Sequence, residues 1–276
     1  MSKIWLVTGS SRGLGRALTE AVLAAGDRVV GTARKPEQLD DLVTKYGDQL
    51  RAVALDVTDT DAARAAVRTA VEEFGGLDVV ANNAGYANSA AIEEMADDDF
   101  RAQVETNLFG VVNVTKAALP VFREQRSGHF LQFSSIGGRA GGTPGMGAYQ
   151  TAKFAVEGFS EVLNNEVRPF GVKVTIVEPG GFRTDWGGSS MQLAAVHPDY
   201  ESTVGEMHRR RLEMDGKQPG DPAKAAQAIL QVVALDNPPL RLLLGTDALT
   251  LADTSAKSRA AEAEAWAHLT TSTDFA

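Results

Sequence analysis

Tyr149 and Lys153 lie four residues apart at the start of a stretch with helical spacing, and together they could move a proton. A separation of four residues puts both side chains on the same face of a helix. A tyrosine loses its proton at about pH 10, and a nearby ammonium lowers that pKa by favouring the phenolate. The pair could therefore exchange a proton with a carbonyl oxygen near neutral pH, although such a pair is common by chance.

Three other polar residues could support this chemistry. Ser134 and Ser135 follow the apolar run 129–133, so we expect them at the carboxyl end of a strand, where α/β sheets bind ligands. A serine hydroxyl there could hydrogen-bond the substrate oxygen and the alkoxide that develops on it. Which of the two serines does so stays open. Asn107 lies in the helical stretch 100–119, where asparagine is mildly unfavourable. It could therefore have a role at a backbone kink or a water site, and the alternative is that its position is incidental.

A glycine-rich turn after the first apolar run could hold a pyrophosphate. Its glycines allow positive φ and close approach of a ligand to the backbone, and the helix that follows offers unpaired N–H groups and the positive end of its dipole. This position, between a strand and a helix, predicts a dinucleotide site, although the glycine spacing differs from G-x-G-x-x-G. The turn residues expected to contact the cofactor are Gly9, Ser11, Arg12, Gly13, Leu14 and Gly15.

The residues after the second apolar run bear on which dinucleotide is bound. NAD-binding sites usually place an acid here to accept from the ribose 2′-hydroxyl, but this chain has Arg34 and Lys35 instead. Arg34 and Arg12 together suit a 2′-phosphate by charge and by the fork geometry of the guanidinium. The alternative is that these are solvated loop charges. The pattern favours NADP(H) over NAD(H).

Two more strand ends carry candidate cofactor contacts. Asp56, followed by Val57, could accept from an adenine amino group or could cap the next helix. The turn after the fourth run contains Asn83, Ala84 and Gly85, whose small side chains would let a cofactor lie against the backbone. A turn that is merely stabilised by asparagine side chains is the alternative.

The elements that must position these residues alternate along the chain. Seven short apolar runs, separated by helical patterns, predict a parallel sheet covered on both faces and right-handed crossovers. The fold class is α/β, a doubly wound Rossmann-like sheet in a single domain, 1–276. An excursion at 185–220 is a candidate substrate lid, with surface helix packing as the alternative, and 250–276 is a C-terminal extension. The seven runs are 4–7, 28–32, 52–55, 77–81, 129–133, 172–177 and 240–244.

Composition limits the partners. The net charge of -9 disfavours nucleic acid, although a basic run at 208–211 could attract an acidic substrate if it is not simply a solvated helix face. The absence of cysteine excludes disulfides and fits a reducing compartment, and the histidines show no metal spacing. The run 4–7 is too short for a signal peptide or a membrane span. We expect a cytoplasmic protein with no membrane partner and no metal.

Taken together, these motifs resemble the short-chain dehydrogenase/reductase family in its short single-domain form, over about residues 3–184. The resemblance implies that Tyr149 is the general acid/base, that Lys153 holds the nicotinamide ribose and lowers the tyrosine pKa, and that Ser135 orients the substrate oxygen. It also implies that Asn107 holds a water in a proton relay. The loop expected beside the nicotinamide contains Pro179, Gly180, Phe182 and Thr184.

The resemblance implies an NADP(H)-dependent oxidoreductase that moves a hydride between the nicotinamide and a small-molecule ketone, aldehyde or secondary alcohol with a hydrophobic body. The pattern at 238–245 is similar to bacterial 17β-hydroxysteroid and retinol dehydrogenases. Family members are usually homodimers or homotetramers, although the C-terminal extension could obstruct one interface. The alternative is a dinucleotide-binding sensor that acts through a protein partner, which the complete set of catalytic residue types disfavours.

Overall fold

A sheet of parallel strands runs through the centre of the molecule, as the seven apolar runs predict. The computed structural model describes residues 2–186 and 191–275. The order across the sheet is β3-β2-β1-β4-β5-β6-β7, with every neighbouring pair parallel. The order reverses between β1 and β4, which is where doubly wound sheets bind ligands. The strands in the described ranges are β1 (Ile4–Val7), β2 (Arg28–Ala33), β3 (Leu50–Ala54), β4 (Val79–Asn82), β5 (Gly128–Phe133), β6 (Val172–Pro179) and β7 (Arg241–Leu244).

Helices cover both faces of this sheet. Five-residue π-helical turns lie at Glu105–Phe109 and Glu201–Gly205, and short 3₁₀ segments lie at Pro36–Leu39, Gly47–Gln49, Arg168–Phe170 and Pro198–Tyr200. The α-helices of the described residues are α1 (Gly13–Ala24), α2 (Asp40–Tyr46), α3 (Thr60–Phe74), α4 (Asp97–Val104), α5 (Gly110–Gln125), α6 (Ile136–Arg139), α7 (Gly147–Val167), α8 (Glu206–Met214), α9 (Pro222–Val233), α10 (Thr246–Ala265) and α11 (Ala267–Thr271).

Two hydrophobic cores, one on each face, hold the sheet rigid. Side chains of a strand alternate between faces, so Trp5 and Val7 of β1 pack with α1 and α9, whereas Ile4 and Leu6 pack with α3 and α5. Burying one large apolar side chain in this way stabilises the folded state by about 1.5–3 kcal/mol relative to leaving it exposed. The strand ends therefore form a fixed platform from which loops project.

The region predicted as a lid is packed onto the loop that follows β4. The backbone of Ser89 bonds with Gln192 and Ala194, and its hydroxyl lies 2.9 Å from Nε2 of His208 on α8. Residues 187–190, which belong to the predicted excursion, lie outside the described residues. Whether the rest of this segment moves as a lid stays a prediction.

The described residues of the C-terminal extension, 250–275, are mostly helical. Helix α10 packs against α6 and β7, and the guanidinium of Arg259 lies 5.7 Å from the ring centre of Phe154 on α7. The extension therefore covers part of the α7 surface. No helix in residues 2–186 and 191–275 is long and apolar enough to cross a membrane.

Candidate active site

A cavity of about 1120 Å³ opens at the carboxyl ends of the strands, around the point where the strand order reverses. It brings together nearly all of the residues predicted for the site. Most of them follow the ends of six different strands, whereas Asn107 lies in the π-helical turn after α4, and Tyr149 and Lys153 lie on α7. Gly15 is the exception, because it is buried within the glycine-rich turn and does not line the cavity. The predicted residues that line it are Gly9, Ser11, Arg12, Gly13, Leu14, Arg34, Asp56, Val57, Asn83, Ala84, Gly85, Asn107, Ser134, Ser135, Tyr149, Lys153, Pro179, Gly180, Phe182 and Thr184.

The turn after β1 and the turn after β4 brace each other. Oγ1 of Thr8 accepts hydrogen bonds from the backbone N–H groups of Asn83 and Ala84, each at 3.0 Å. Nδ2 of Asn83 donates to the carbonyl oxygen of Thr8 at 2.9 Å. Asn83 thus stabilises the turn. The same turn lines the cavity, and its contact with a cofactor stays a prediction. Thr8 was missed by the sequence analysis.

Glycine is required at two positions of the glycine-rich turn, for a different reason at each. Gly9 has a φ of +69°, and a Cβ there would lie 3.1 Å from Cα of Ala84. A Cβ on Gly15 would lie 2.3 Å from the carbonyl oxygen of Gly9, so only glycine permits this packing of the helix start on the turn. Gly15 shapes the glycine-rich turn and does not line the cavity.

The start of α1 fits a pyrophosphate. Arg12 precedes the helix with extended backbone and no side-chain cap, and the first turn carries no acid. The N-terminal N–H groups and the positive dipole end therefore face the cavity without a competing carboxylate. Gly13 lies directly opposite Thr184, since a Cβ built on it would be 3.6 Å from that side chain. The loop after β6 and the glycine-rich turn consequently face each other across the cleft.

Positive charges surround the far end of the cavity, beyond β2. Arg12 and Arg34 are exposed at its rim, and Lys35 and Gln38 line it as well. Between β2 and β3, the described residues that line the cavity are Arg34, Lys35 and Gln38, and none of these is acidic. This arrangement fits the prediction of a 2′-phosphate site.

Asp56 forms a local turn and does not cap the next helix. Its Oδ1 accepts from the backbone N–H of Thr58 at 3.0 Å and from the hydroxyl of Thr58 at 2.7 Å. The backbone bond from Thr58 is the main reason that the pKa of Asp56 is lowered, with a smaller contribution from the charge of Arg34. Asp59 caps α3 instead, accepting from the N–H groups of Asp61 and Ala62. Asp56 therefore remains a candidate acceptor for adenine.

Tyr149 and Lys153 lie on the buried side of α7, in the first two turns. Nζ of Lys153 donates to the carbonyl oxygen of Phe133 at 2.7 Å and lies 5.7 Å from the ring centre of Tyr149. Burial lowers the pKa of Lys153 to about 8, and the charge of Glu157 partly opposes this shift. The lysine thus joins the end of β5 to the catalytic helix.

The expectation that the ammonium lowers the tyrosine pKa is not met in this structure. Burial raises the pKa of Tyr149 to about 12, because the phenolate is poorly solvated there. The groups that oppose this shift are the Ser135 hydroxyl and the positive charge of Arg211. The Tyr149 hydroxyl is therefore protonated at neutral pH and can act as a proton donor.

The structure distinguishes the two serines. Ser134 is buried, and its hydroxyl donates to the carbonyl oxygen of Lys153 at 3.4 Å, so it is directed towards α7. Ser135 caps α6 by accepting from the N–H of Gly137 at 3.0 Å, and its hydroxyl is beside Tyr149. The geometry favours Ser135 as the serine that meets the substrate oxygen.

Asn107 lies in the π-helical turn between α4 and α5, where its residue type predicted a backbone kink. Its Nδ2 donates to the carbonyl oxygens of Tyr86 and Gln103, each at 2.8 Å, and its Oδ1 accepts from the N–H of Tyr86 at 3.2 Å. A Cβ on Gly85 would lie 2.5 Å from that oxygen, which explains the glycine. The asparagine side chain holds the loop after β4, and its part in a water relay stays a prediction.

The loop beside the predicted nicotinamide position is held by the C-terminal part of the chain. The N–H of Gly180 donates to the carbonyl oxygen of Leu244 at 2.9 Å, and that of Gly181 donates to Oδ2 of Asp247 at 2.7 Å. Phe182 pairs with Gly220 through a short β-bridge. No sequence motif pointed to Asp247, because an acid in the first turn of a helix is ordinary.

The opposite end of the cavity, beside Tyr149, mixes apolar and polar side chains. The rings of Tyr149 and Trp186 are 5.1 Å apart between centres. Gln192, Met214 and Gln218 also line this end and belong to the segment 185–220 that was predicted as a substrate lid, but no motif pointed to these three residues individually. Arg211 belongs to the basic run and was expected on a solvated face, but it lines the cavity.

Comparisons with known proteins agree with this architecture. Residues 3–193 match the family model described as short chain dehydrogenase. The chain is 53% identical over 270 residues to an oxidoreductase named BOA17 from Botryotinia fuckeliana, with 98% of each chain covered. A crystal structure of a short-chain dehydrogenase from Streptomyces avermitilis superposes with a TM-score of 0.93 at 43% identity and covers 100% of both chains.

A second solved structure is similar over most of its length. It is an alcohol dehydrogenase from Thermococcus sibiricus complexed with 5-hydroxy-NADP, with a TM-score of 0.72, 26% identity, and coverage of 88% of this chain and 96% of that one. The chain therefore belongs to the short-chain dehydrogenase/reductase family. It is an oxidoreductase of that family, whose members bind a nicotinamide dinucleotide.

Proposed function

We propose that the protein is an NADP(H)-dependent oxidoreductase that interconverts a ketone or aldehyde with the corresponding alcohol. The observation that carries this proposal is the convergence of Tyr149, Ser135 and Lys153 on one side of the cavity that begins at the glycine-rich turn. The turn, the α1 N-terminus and the two rim arginines would hold the dinucleotide. The bound nicotinamide would supply or accept the hydride.

Each catalytic side chain then has a defined task. Tyr149, protonated at neutral pH, gives its phenolic proton to the carbonyl oxygen as that oxygen becomes an alkoxide. The hydroxyl of Ser135 hydrogen-bonds the same oxygen and stabilises its developing charge. The ammonium of Lys153 would contact the nicotinamide ribose and favour the phenolate that remains. Asn107 keeps the loop after β4 in place beside them.

The preference for NADP(H) is supported by the rim of the cavity. Arg12 and Arg34 are exposed there and free to form charge-assisted hydrogen bonds with a 2′-phosphate. The similar alcohol dehydrogenase from Thermococcus sibiricus was solved with an NADP derivative. A comparison of kcat/KM with NADPH and NADH measures the preference directly.

The main test is Tyr149→Phe, with carbonyl reduction followed by the loss of NADPH absorbance. We expect kcat to fall by at least about 100-fold, because a general acid is removed, and the Kd for NADPH to change by less than about threefold. Tyr46→Phe, on α2 and outside the cavity, is the control. Unchanged turnover in Tyr149→Phe would show that this tyrosine is not the acid.

A panel of carbonyl compounds tested with NADPH distinguishes an enzyme from a dinucleotide-binding sensor. If NADPH binds tightly and no steroid, retinoid, aromatic or quinone carbonyl is reduced, the dinucleotide-binding sensor becomes the better description. The subgroup resemblance, the hydrophobic substrate body, the cytoplasmic location and the homo-oligomeric state stay predictions. Within residues 2–186 and 191–275, no group of three histidine or acidic side chains could hold a metal ion.

A further inference from the structure

Arg211 brings a positive charge into the substrate end of the cavity. The described residues that line the cavity include only two carboxylates, Asp56 and Asp185. Asp56 lies at the far end of the cavity, which we call the adenosine end because the proposed function places the adenosine of the cofactor there. Neither Asp56 nor any other carboxylate of the described residues is within ion-pair distance of Arg211. The guanidinium therefore has no anionic partner in the described part of the protein.

The other arginines of α8 are arranged differently. Arg209 is exposed and forms ion pairs with Glu201 and Glu206. Arg210 is exposed and does not line the cavity. Arg211 is half-buried, and its Nη1 contacts the sulfur of Met191. The basic run thus contains one arginine that faces inwards and two that face solvent.

The direction of Arg211 is set by its neighbour on the preceding turn. His208 is buried and lies 2.9 Å from the hydroxyl of Ser89, so this face of α8 is fixed against the loop after β4. A residue three positions later lies on the same face. Met191, which Arg211 touches, belongs to the same small apolar cluster as Tyr149. The guanidinium therefore contacts the apolar cluster that contains Tyr149.

The electrostatics agree with this proximity. The charge of Arg211 opposes part of the rise in the Tyr149 pKa that burial causes. In return, Tyr149 opposes part of the fall in the Arg211 pKa that burial causes. A partly buried cation without a partner is costly, and such groups in clefts often mark binding sites. The planar guanidinium matches a carboxylate with two parallel hydrogen bonds.

We propose that Arg211 binds a carboxylate of the substrate, so that the enzyme acts on oxo acids, and in reverse on hydroxy acids, in preference to neutral carbonyl compounds. This assignment rests on the proposed function and adds the substrate class. Trp186 and Met214 would contact the apolar body of such a substrate. The carbonyl carbon then lies beside Tyr149 and the acid group points towards α8.

The experiment uses matched pairs of ketones that differ only in charge. Suitable pairs are 4-acetylbenzoate with 4-acetylbenzamide, 3-acetylbenzoate with its amide, and 2-oxo-4-phenylbutanoate with its amide. Binding is measured by calorimetry to the enzyme saturated with NADP⁺, which cannot reduce them. Turnover is measured separately with NADPH. We expect the carboxylate to bind roughly 10–100-fold more tightly than the amide in at least one pair.

Three variants assign the preference to this side chain. Arg211→Met keeps the volume and removes the charge, so the carboxylate preference should shrink to about twofold or less. Arg211→Lys keeps the charge but not the planar fork of the guanidinium, so it should retain part of the carboxylate preference. Arg210→Gln removes the neighbouring exposed charge and should behave as the wild type. Melting curves of all three show whether the fold is intact.

The inference is overturned if amides bind as well as carboxylates in every pair, or if the preference survives in Arg211→Met. Should Arg211→Met fail to fold, the ratio in Arg211→Lys and Arg210→Gln still decides. The two proposals fail separately: carboxylate binding without any turnover by NADPH contradicts the proposed function alone. Reduction of neutral ketones and oxo acids at equal kcat/KM contradicts only the role of Arg211.

Discussion

The two ends of the cavity differ in how far their side chains are exposed to solvent. At the end where the proposal places the adenosine, backbone groups of the glycine-rich turn and exposed side chains such as Arg12 and Arg34 line the cavity. At the proposed catalytic end, Tyr149 and Lys153 are buried, and burial shifts the pKa of both. The same cleft therefore combines a solvated surface with a poorly solvated one.

This difference determines how strongly each end depends on single side chains. Exposed charges are screened by salt and water, so each one contributes little and the others can compensate. Buried ionisable groups act at low local dielectric, where removing one charge changes its neighbours substantially. We expect substitutions at the catalytic end to change kcat by several orders of magnitude and substitutions at the adenosine end to change the cofactor preference by about one order of magnitude, with kcat little changed.

The largest effect is expected from Lys153→Met. The ammonium that donates to the carbonyl oxygen of Phe133 and lies 5.7 Å from the ring centre of Tyr149 is lost, so kcat should fall by about 10²–10⁴-fold. Lys173→Met is a matched control, because Lys173 also donates to a backbone carbonyl, that of Leu235, but in a solvent-exposed hydrogen bond. Equal losses in the two variants would show that burial is not what distinguishes them.

The pH dependence should follow the same lysine. Lys153 is charged below its pKa of about 8 and neutral above it, whereas Tyr149, with a pKa of about 12, stays protonated throughout. The rate of carbonyl reduction should therefore be level below this pH and fall by about tenfold per pH unit above it. A profile of kcat from pH 6 to 10 measures this. The falling limb should be absent in Lys153→Met, and its persistence there would assign it to another group.

At the adenosine end, Arg34→Asp should change preference and not chemistry. The new carboxylate repels a 2′-phosphate and can accept from a 2′-hydroxyl, so the ratio of kcat/KM for NADPH over NADH should fall by about 10-fold or more, with kcat for NADH little changed. Arg68→Asp makes the same charge change at an exposed position of α3, outside the cavity. If both variants keep the wild-type ratio, the assignment of NADP(H) is wrong.

The smallest effect is expected from Asp247→Ala. Its carboxylate accepts from the N–H of Gly181, and the bond is exposed, so its loss should raise the KM for the dinucleotide by only about 2–5-fold. Asp253→Ala, on the same helix and paired only with Lys257, is the control. An effect as large as that of Lys153→Met would show that the nicotinamide-side loop depends on α10 more than its exposure indicates.

Local patterns were sufficient to predict the sheet and the position of the glycine-rich turn between β1 and α1. Apolar runs and glycine positions are determined by residues close together in the chain, and all seven runs became strands. The bounds shifted by a few residues, since pairing with a neighbour extends a strand beyond its apolar run. β6, for example, continues to Pro179.

Features that depend on distant residues were not predictable in the same way. The tyrosine pKa is a clear case, because burial by the assembled cavity outweighs the lysine charge that the spacing suggested. Arg211 was expected on a solvated helix face, but its inward direction depends on the contact between His208 and Ser89, which are 119 residues apart. Asp247 likewise has no local signal.

The π-helical turn at Glu105–Phe109 has a consequence for changes in chain length. Such a turn accommodates one residue more than a regular α-helical turn. Deleting one residue there would let α4 and α5 wind as one helix, and each residue of a helix accounts for a rotation of roughly 100°. Asn107 would then be turned away from the backbone of Tyr86, or α5 would be rotated out of its core. Variation among homologues at this turn should therefore occur by exchange of side chains and not by insertion or deletion.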